Sequence, residues 1–339
     1  MSDSPGLAAL LADMAKTNTA PLWNLYANQL TREPRAPDDA YHWQWEVLAP
    51  LLERALVEVP MEHAERRVLL LSNPVFAPKT ATTTHLQGGI QILNPGDHAP
   101  AHRHAAAAVR LVMEGQGAFT TVNSQRCLME PGDLVLTPAW CWHEHVHPGS
   151  GPIAWFDGLD VPLVQALSSS FLEFGPIRDL PPTLPASVAE SGLLPPEEEL
   201  GERFRYHSPR FRYSGRWVVE ALNVTVPHAV DGSRLLRYTN PVHGGPVMAT
   251  LDCYALALAQ GKPTLPYRST ANAIAVVVKG CGTSTVGDKT FAWRKNDVFS
   301  LPHWNWISHQ AEETDSQLFL LTDLPVLEAT GYLRIERKG

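Results

Sequence analysis

The stretch Gly96-Asp-His-Ala-Pro-Ala-His102-Arg-His104, answered later by Gly132-Asp-Leu-Val-Leu-Thr-Pro138-Ala-Trp-Cys-Trp-His143, decides how this chain reads. In a β-strand residues i and i+2 share a face. His102 and His104 can therefore aim two imidazoles at one point, and a later strand can bring His143 to it. Three neutral nitrogen donors that leave coordination positions open describe a catalytic transition-metal site and not a closed structural one.

Around these motifs, from Val68 to Asp160, short apolar runs such as Ile90-Gln-Ile-Leu, Val109-Arg-Leu-Val and Leu134-Val-Leu alternate with Asn-Pro, Pro-Gly and Gly-x-Gly breaks. That is the signature of an antiparallel barrel or jelly roll. Residues 5 to 58 read as helical: Leu7, Leu10, Leu11 and Met14 recur at helical spacing, and Tyr41 to Val57 forms a second such stretch. Residues 171 to 215, with Pro181-Pro182 and Pro195-Pro196-Glu-Glu-Glu, read as a connecting arm with short helical pieces. Short strands return from Arg234.

The second β region repeats the first. Gly261-Lys-Pro-Thr-Leu-Pro-Tyr267-Arg-Ser269 aligns with Gly96 to His104, Val276 to Gly282 with Leu111 to Gly117, and Asn296 to Trp306 with Gly132 to Trp142. The register drifts by one residue across the whole repeat. Tyr267, Ser269 and Ile307 stand where the first copy has His102, His104 and His143. A site with isoleucine at a ligand position is not expected to hold a metal, so one barrel carries chemistry and the other is a structural half. The expected organisation is mainly β, with two jelly-roll barrels: a helical arm (1–60), a metal-bearing barrel (61–170), a Pro-rich linker (171–225) and a barrel without metal ligands (226–339). Trp140, Trp142, Trp304 and Trp306 recur in both copies, which argues for packing over catalysis.

The chain has 339 residues, 44% hydrophobic and 18% charged, so it can bury a substantial core. A net charge of −8 argues against nucleic acid or an anionic membrane as partner. No apolar run reaches the roughly 18 residues of a membrane span, and no signal peptide is evident. The cysteines Cys127, Cys141, Cys253 and Cys281 show no paired spacing, so reduced thiols and a cytoplasmic location are expected.

The spacing Gly96-x5-His102-x-His104 and Gly132-x5-Pro138-x4-His143 resembles the two cupin motifs. Ala105-Ala-Ala-Ala108 replaces the glutamate that cupins usually carry after the second histidine. A three-histidine bicupin without that glutamate resembles the gentisate 1,2-dioxygenase family, with its relatives acting on salicylate and 1-hydroxy-2-naphthoate. Met129 to Pro138, Trp142-His-Glu-His145, Trp155-Phe-Asp-Gly-Leu-Asp160, Asn240 to Gly245 and Pro325-Val-Leu-Glu-Ala carry the resemblance. It implies Fe(II), O2 as co-substrate, ring opening of an aromatic hydroxy acid between its carboxyl- and hydroxyl-bearing carbons, and a homotetramer. The chain departs from the family at Gln87, often aromatic there, and at Ala106 and Ala107, often polar. These departures leave 5-substituted salicylates, such as nitrosalicylate, as alternatives to gentisate.

Neutral ligands leave a ferrous charge uncompensated, which suits an anionic chelating substrate. Arg110, at an even spacing from His104, is expected to face the same interior and bind a carboxylate, with an internal ion pair as the competing role. The resemblance places Arg66, Gln91 and Gly89 at substrate-pocket positions. His145 is expected to orient substrate or O2 or to move a proton near neutral pH, or else to serve only as a hydrogen-bonded support. Asp157 is expected to fix a ligand histidine's tautomer. His63, His85, His98, His147, His228, His243, His303 and His309 lack a partner at ligand spacing and read as surface or supporting residues. Two other classes remain: a Zn or Mn isomerase or decarboxylase, which usually retains the glutamate, and a storage or sensor bicupin, which predicts ligand loss in both halves.

Overall fold

The computed structural model describes residues 4–29, 31–35, 39–177, 180, 184–191, 193–195 and 202–338. The Pro181-Pro182 pair and the run from Pro196 to Glu199 lie outside them, as does the side chain of His63. The chain divides into residues 1–35 and 36–339. In the first unit, Ser4 caps the helix Pro5–Lys16, its Oγ accepting from the Leu7 N–H at 3.2 Å. Pro5 takes the first helical position, where no N–H is needed. A second helix spans Leu22–Gln29.

The larger unit holds two antiparallel double-sheet barrels. In the first, a six-stranded sheet runs Arg212–Tyr213, Leu134–Thr137, Ala108–Glu114, Ile153–Leu159, Gln87–Leu93, Val68–Leu71. Its five-stranded partner runs Leu172–Phe174, His98–His104, His143–Val146, Phe119–Val122, Gln125–Leu128. The second barrel repeats this: His42–Trp43, Val298–Leu301, Ala273–Lys279, Ser316–Thr322, Asp252–Leu258, Arg234–Arg237, facing Lys289–Arg294, Cys281–Val286, Ile307–Ala311, Tyr267–Ser269, Ile335–Arg337.

Alternation sorts the strands' side chains. Leu93, Val112, Val135 and Trp155 fill the first barrel. Their neighbours Ile90, Ile92, Val109, Leu111 and Phe156 face the other way, onto Ile274, Val276, Phe319 and Leu321 of the second barrel. The largest core thus lies between the two six-stranded sheets. Gly158 is required there, because a Cβ would come within 2.2 Å of Leu321 Cδ2. This core leaves each barrel interior free for other uses.

The segments read as arm and linker take part in the sheets. His42–Trp43, ahead of the first barrel, pairs with Val298 and Phe299 of the second. Arg212–Tyr213, ahead of the second, pairs with Leu134 and Val135 of the first. Each exchanged strand leads into a helix, Trp45–Glu58 or Gly215–Val224. The repeated aspartates explain why. Asp297 Oδ1 accepts from Trp45 N–H at 2.7 Å, and Asp133 Oδ1 accepts from Gly215 N–H at 2.9 Å. Each carboxylate satisfies an otherwise unpaired donor at a helix start.

The repeated tryptophans have a shared structural task. Arg103, between the two histidines, faces outward between Trp140 and Trp142, 4.7 and 4.8 Å from the ring centroids, and donates to Glu173. Arg268 repeats this with Trp304, Trp306 and Glu336. These clamps fasten the edge strands Leu172–Phe174 and Ile335–Arg337 to their barrels. The four cysteines form no disulfide.

Candidate active site

Three strand positions build the centre. His102 lies directly across from His143 in the antiparallel ladder, and His104 is two residues along the same face. Ring centroids lie 4.0 Å apart for His102–His143, 4.9 Å for His104–His143 and 5.3 Å for His102–His104. One ring nitrogen from each falls within 4.8 Å of the others, so the trio could hold a metal ion. It is the one such group among the described residues.

The hydrogen bonds select the nitrogen. His102 Nδ1 faces Pro100 O at 3.1 Å, His104 Nδ1 faces Ala106 O at 2.7 Å, and His143 Nδ1 faces Cys141 O at 3.0 Å. A carbonyl accepts only, so in His104 and His143 Nδ1 carries the proton and Nε2 offers its lone pair, and His102 matches them when its Nδ1 donates to Pro100 O. His143 Nε2 is buried with no protein partner among the described residues. A buried polar atom left so needs an occupant, and a divalent ion fits this donor set.

Burial keeps the imidazoles neutral. It lowers the His102 pKa to about 3 and the His104 pKa to about 4, with Arg66 and Arg110 nearby adding to the effect, and it holds His143 and His145 well below the ordinary value. In the unfolded chain these groups protonate near 6.5. A base whose pKa is depressed by folding loses its share of stability as pH falls from 6.5 towards the folded value. The metal-free protein should therefore destabilise between about pH 6.5 and 4, by up to roughly 1.4 kcal/mol per pH unit for each such histidine. Denaturant titrations at stepped pH measure this, and a flat profile over that window would contradict it.

The remaining interior groups share one row. Gly89, Asp157 and Arg110 are direct neighbours on three adjacent strands. Asp157 does not touch a histidine, contrary to its expected role, because backbone carbonyls already set the tautomers. It lies 3.2 Å from Arg110 Nε and accepts the Trp155 indole N–H at 3.0 Å. Arg110 also donates to Thr137 Oγ1. Burial raises the Asp157 pKa, and Arg110 opposes the rise. Both roles considered for Arg110 thus meet at one residue: it faces the interior, and it has an internal carboxylate partner.

Arg66 reaches the site, with Nη2 2.6 Å from His102 Nδ1 and a buried Nε that has no partner among the described residues. One nitrogen cannot both donate to Pro100 O and accept from Arg66. A metal on His102 Nε2 requires the first arrangement, so Arg66 must then turn elsewhere. Arg110 is buried and pairs with Asp157, while the half-buried Arg66 feels the charges of Asp157 and Glu65, so the two guanidiniums bring positive charge to the interior that an anion could meet. Gln91 is buried on the interior face, its amide nitrogen also without a partner among the described residues.

Other expectations change. His145 does lie on the interior face, with Nδ1 2.8 Å from Thr120 Oγ1, and burial holds its pKa well below the ordinary value, which argues against a proton carrier near neutral pH. Gln87 is tied to Thr80 O at 2.5 Å and Thr80 Oγ1 at 3.0 Å. Ala106 acts through its carbonyl on His104. Ala107 packs into the core between the sheets and not into the pocket. Several other histidines have ordinary partners: His85 with Asp323, His98 with Glu144, His147 with Gly151 O, His228 with Asp231. Thr137 was missed, although the repeat marks it: its aligned residue is the apolar Leu301.

A histidine-lined jelly roll of this kind defines a cupin whose three histidines could hold a metal ion, and the cupin domain family model matches residues 89–161. Over its length the chain is similar to 5-aminosalicylate 1,2-dioxygenase of Comamonas sp., 34% identical, covering 97% of this chain and 89% of that one. It is also similar to gentisate 1,2 dioxygenase 1 of Aquipseudomonas alcaligenes, 34% identical with 94% and 92% covered. The crystal structure of salicylate 1,2-dioxygenase from Pseudoaminobacter salicylatoxidans, described with gentisate adducts, superposes with a TM-score of 0.91 at 32% identity, covering 100% and 96%. The chain belongs to the gentisate and salicylate 1,2-dioxygenase family.

Proposed function

We propose that this protein is an Fe(II)-dependent dioxygenase that opens the ring of gentisate or a 5-substituted salicylate between the carboxyl- and hydroxyl-bearing carbons. The observation that carries this reading is the trio of Nε2 donors, each with a carbonyl beside its Nδ1, next to the buried Arg110 and the half-buried Arg66. A ferrous ion on His102, His104 and His143 would supply dioxygen binding and electron transfer from the ring to oxygen.

The protein's own residues bind and orient. Arg110 meets the substrate carboxylate with donors that Asp157 and Thr137 aim, and Arg66 answers the second negative charge of a chelating phenolate. Gln91 offers an amide donor, and Gly89 leaves room beside the row. His145, held by Thr120, is a neutral positioning group next to His143. The strand His98–His104 and its edge cover Leu172–Phe174 limit water. Both atoms of O2 end in the ring-opened product.

With Gln87 engaged by Thr80 and Ala106 offering no polar side chain, no group singled out at the fifth ring position demands a hydroxyl partner. A site without such a partner discriminates weakly between substituents there. We expect gentisate, 5-aminosalicylate and salicylate all to be opened, with kcat/KM values within about 100-fold of one another. The test is anaerobic Fe(II) reconstitution followed by oxygen uptake with each acid. No uptake with any of them ends this reading, and turnover of another substrate with Zn or Mn and no oxygen requirement would replace it. We further propose a cytoplasmic homotetramer, which sedimentation would check; the thiols without disulfides and the family resemblance support it.

A further inference from the structure

The second barrel keeps one part of the first barrel's polar interior. Ser284 Oγ and His309 Nδ1 lie 2.7 Å apart, at the positions aligned with Thr120 and His145. Trp293 Nε1 donates to the same Ser284 Oγ at 2.9 Å. An indole N–H only donates, so the serine's own hydrogen is free to go to His309 Nδ1. His309 then carries its proton on Nε2. That nitrogen is buried in a residue 1% exposed and has no partner among the described residues. Burial lowers the His309 pKa to about 4, which keeps the ring uncharged.

His309 lines a cavity of about 760 Å³, within the size range of small-molecule sites. Tyr267 and Ser269, which stand where the first barrel has His102 and His104, line it too, with Leu256, Ile307 and Leu320. A phenol, an alcohol and one imidazole do not replace three imidazole ligands for a transition metal. They are hydrogen-bonding groups in a chamber whose wall is apolar at Leu256, Ile307 and Leu320 and also carries Asp231, Arg234 and Arg337, the mixed composition of a site for an organic molecule. Side chains do not fill this space, and the buried donor of His309 has no protein partner among the described residues.

We propose that the second barrel is a metal-free binding site for a neutral aromatic molecule bearing one acceptor oxygen, a phenol or aryl ketone. The ring lies against Leu256, Ile307 and Leu320, and the oxygen accepts from His309 Nε2–H. An uncharged donor at His309 suits a neutral oxygen better than a carboxylate, and because Arg234 and Arg337 also line the cavity, titration with 2-naphthoate separates the two. This site is independent of the reaction assigned to the first barrel.

The test is calorimetric titration of the iron-reconstituted full chain with 2-naphthol under argon. One equivalent per chain is expected. His309→Leu should weaken binding about tenfold, the loss of one buried hydrogen bond. Leu256→Trp should abolish it while leaving ring-opening kcat/KM within twofold, and Ala273→Phe fills the same space should the first variant not fold. His104→Ala should leave naphthol binding unchanged, and 2-naphthoate should bind at least tenfold more weakly. Absence of binding, binding that survives both filling variants, or binding lost with His104→Ala would overturn the proposal. Equal binding of 2-naphthoate would overturn the neutral-oxygen assignment.

Discussion

His143→Ala is expected to abolish ring opening and to leave the purified protein with little bound iron after anaerobic reconstitution. His143 is buried, lies directly across the ladder from His102, and has an Nε2 with no protein partner among the described residues. Its Nδ1 is committed to Cys141 O, so nothing else on the residue competes for the metal. Losing an outer partner of a ligand costs roughly 10–100-fold in metal affinity or activity, and losing one of three ligands should cost more. Iron content by spectrometry and oxygen uptake with gentisate read the two effects separately. His145→Ala is the contrast: it should keep the iron and lose no more than about 100-fold in kcat/KM. A His143→Ala protein that retains iron and turns over would remove His143 from the centre. It would leave His102 and His104, on one strand, to find a different third donor.

Much of this site was legible because strand periodicity is a strong constraint. A His-x-His pair on a strand must share a face, and the internal repeat supplies its own control by showing apolar or hydroxyl residues where ligands are absent. Even spacing from His104 placed Arg110 on the interior, where it lies even though the strand is interrupted between His98–His104 and Ala108–Glu114. Three features were less accessible. Asp157 was assigned to a histidine because carboxylates often support ligands, yet local carbonyls at Pro100, Ala106 and Cys141 do that work, and a backbone carbonyl leaves no mark in a sequence. The strand exchange through His42–Trp43 and Arg212–Tyr213 was hidden because two-residue strands are too short to show a period. Ala107 was read with Ala106, but alternation sends adjacent residues to opposite faces, and this one belongs to the core between the barrels. His309 lacks a partner at ligand spacing, although the repeat aligns it with His145; its pairing with Ser284 shows only in the strand ladder.

Arg110→Met is the substitution that separates binding from stability. Arg110 is wholly buried, and Asp157 beside it is the carboxylate it neutralises. Removing one partner of a buried pair leaves the other charge unpaired, at a cost of about 3–5 kcal/mol. Burial already raises the Asp157 pKa above its unfolded value, and without Arg110 it rises further. An acid whose pKa is raised on folding contributes stability below its unfolded pKa and loses that contribution as pH rises through the folded one. The stability gap between Arg110→Met and the parent should therefore widen from pH 5 to pH 8. If Arg110 also holds the substrate carboxylate, the variant loses about 2–4 kcal/mol of transition-state binding, roughly 30- to 1000-fold in kcat/KM. Adding Asp157→Asn decides between the two roles. The double variant removes the orphaned charge, so most of the stability should return and the gap to the parent should no longer widen with pH. Activity should not return, because the guanidinium that meets the carboxylate is still missing. Recovery of activity together with stability would make Arg110 a structural ion-pair partner only, and Arg66 would then be the residue left to bind the acid.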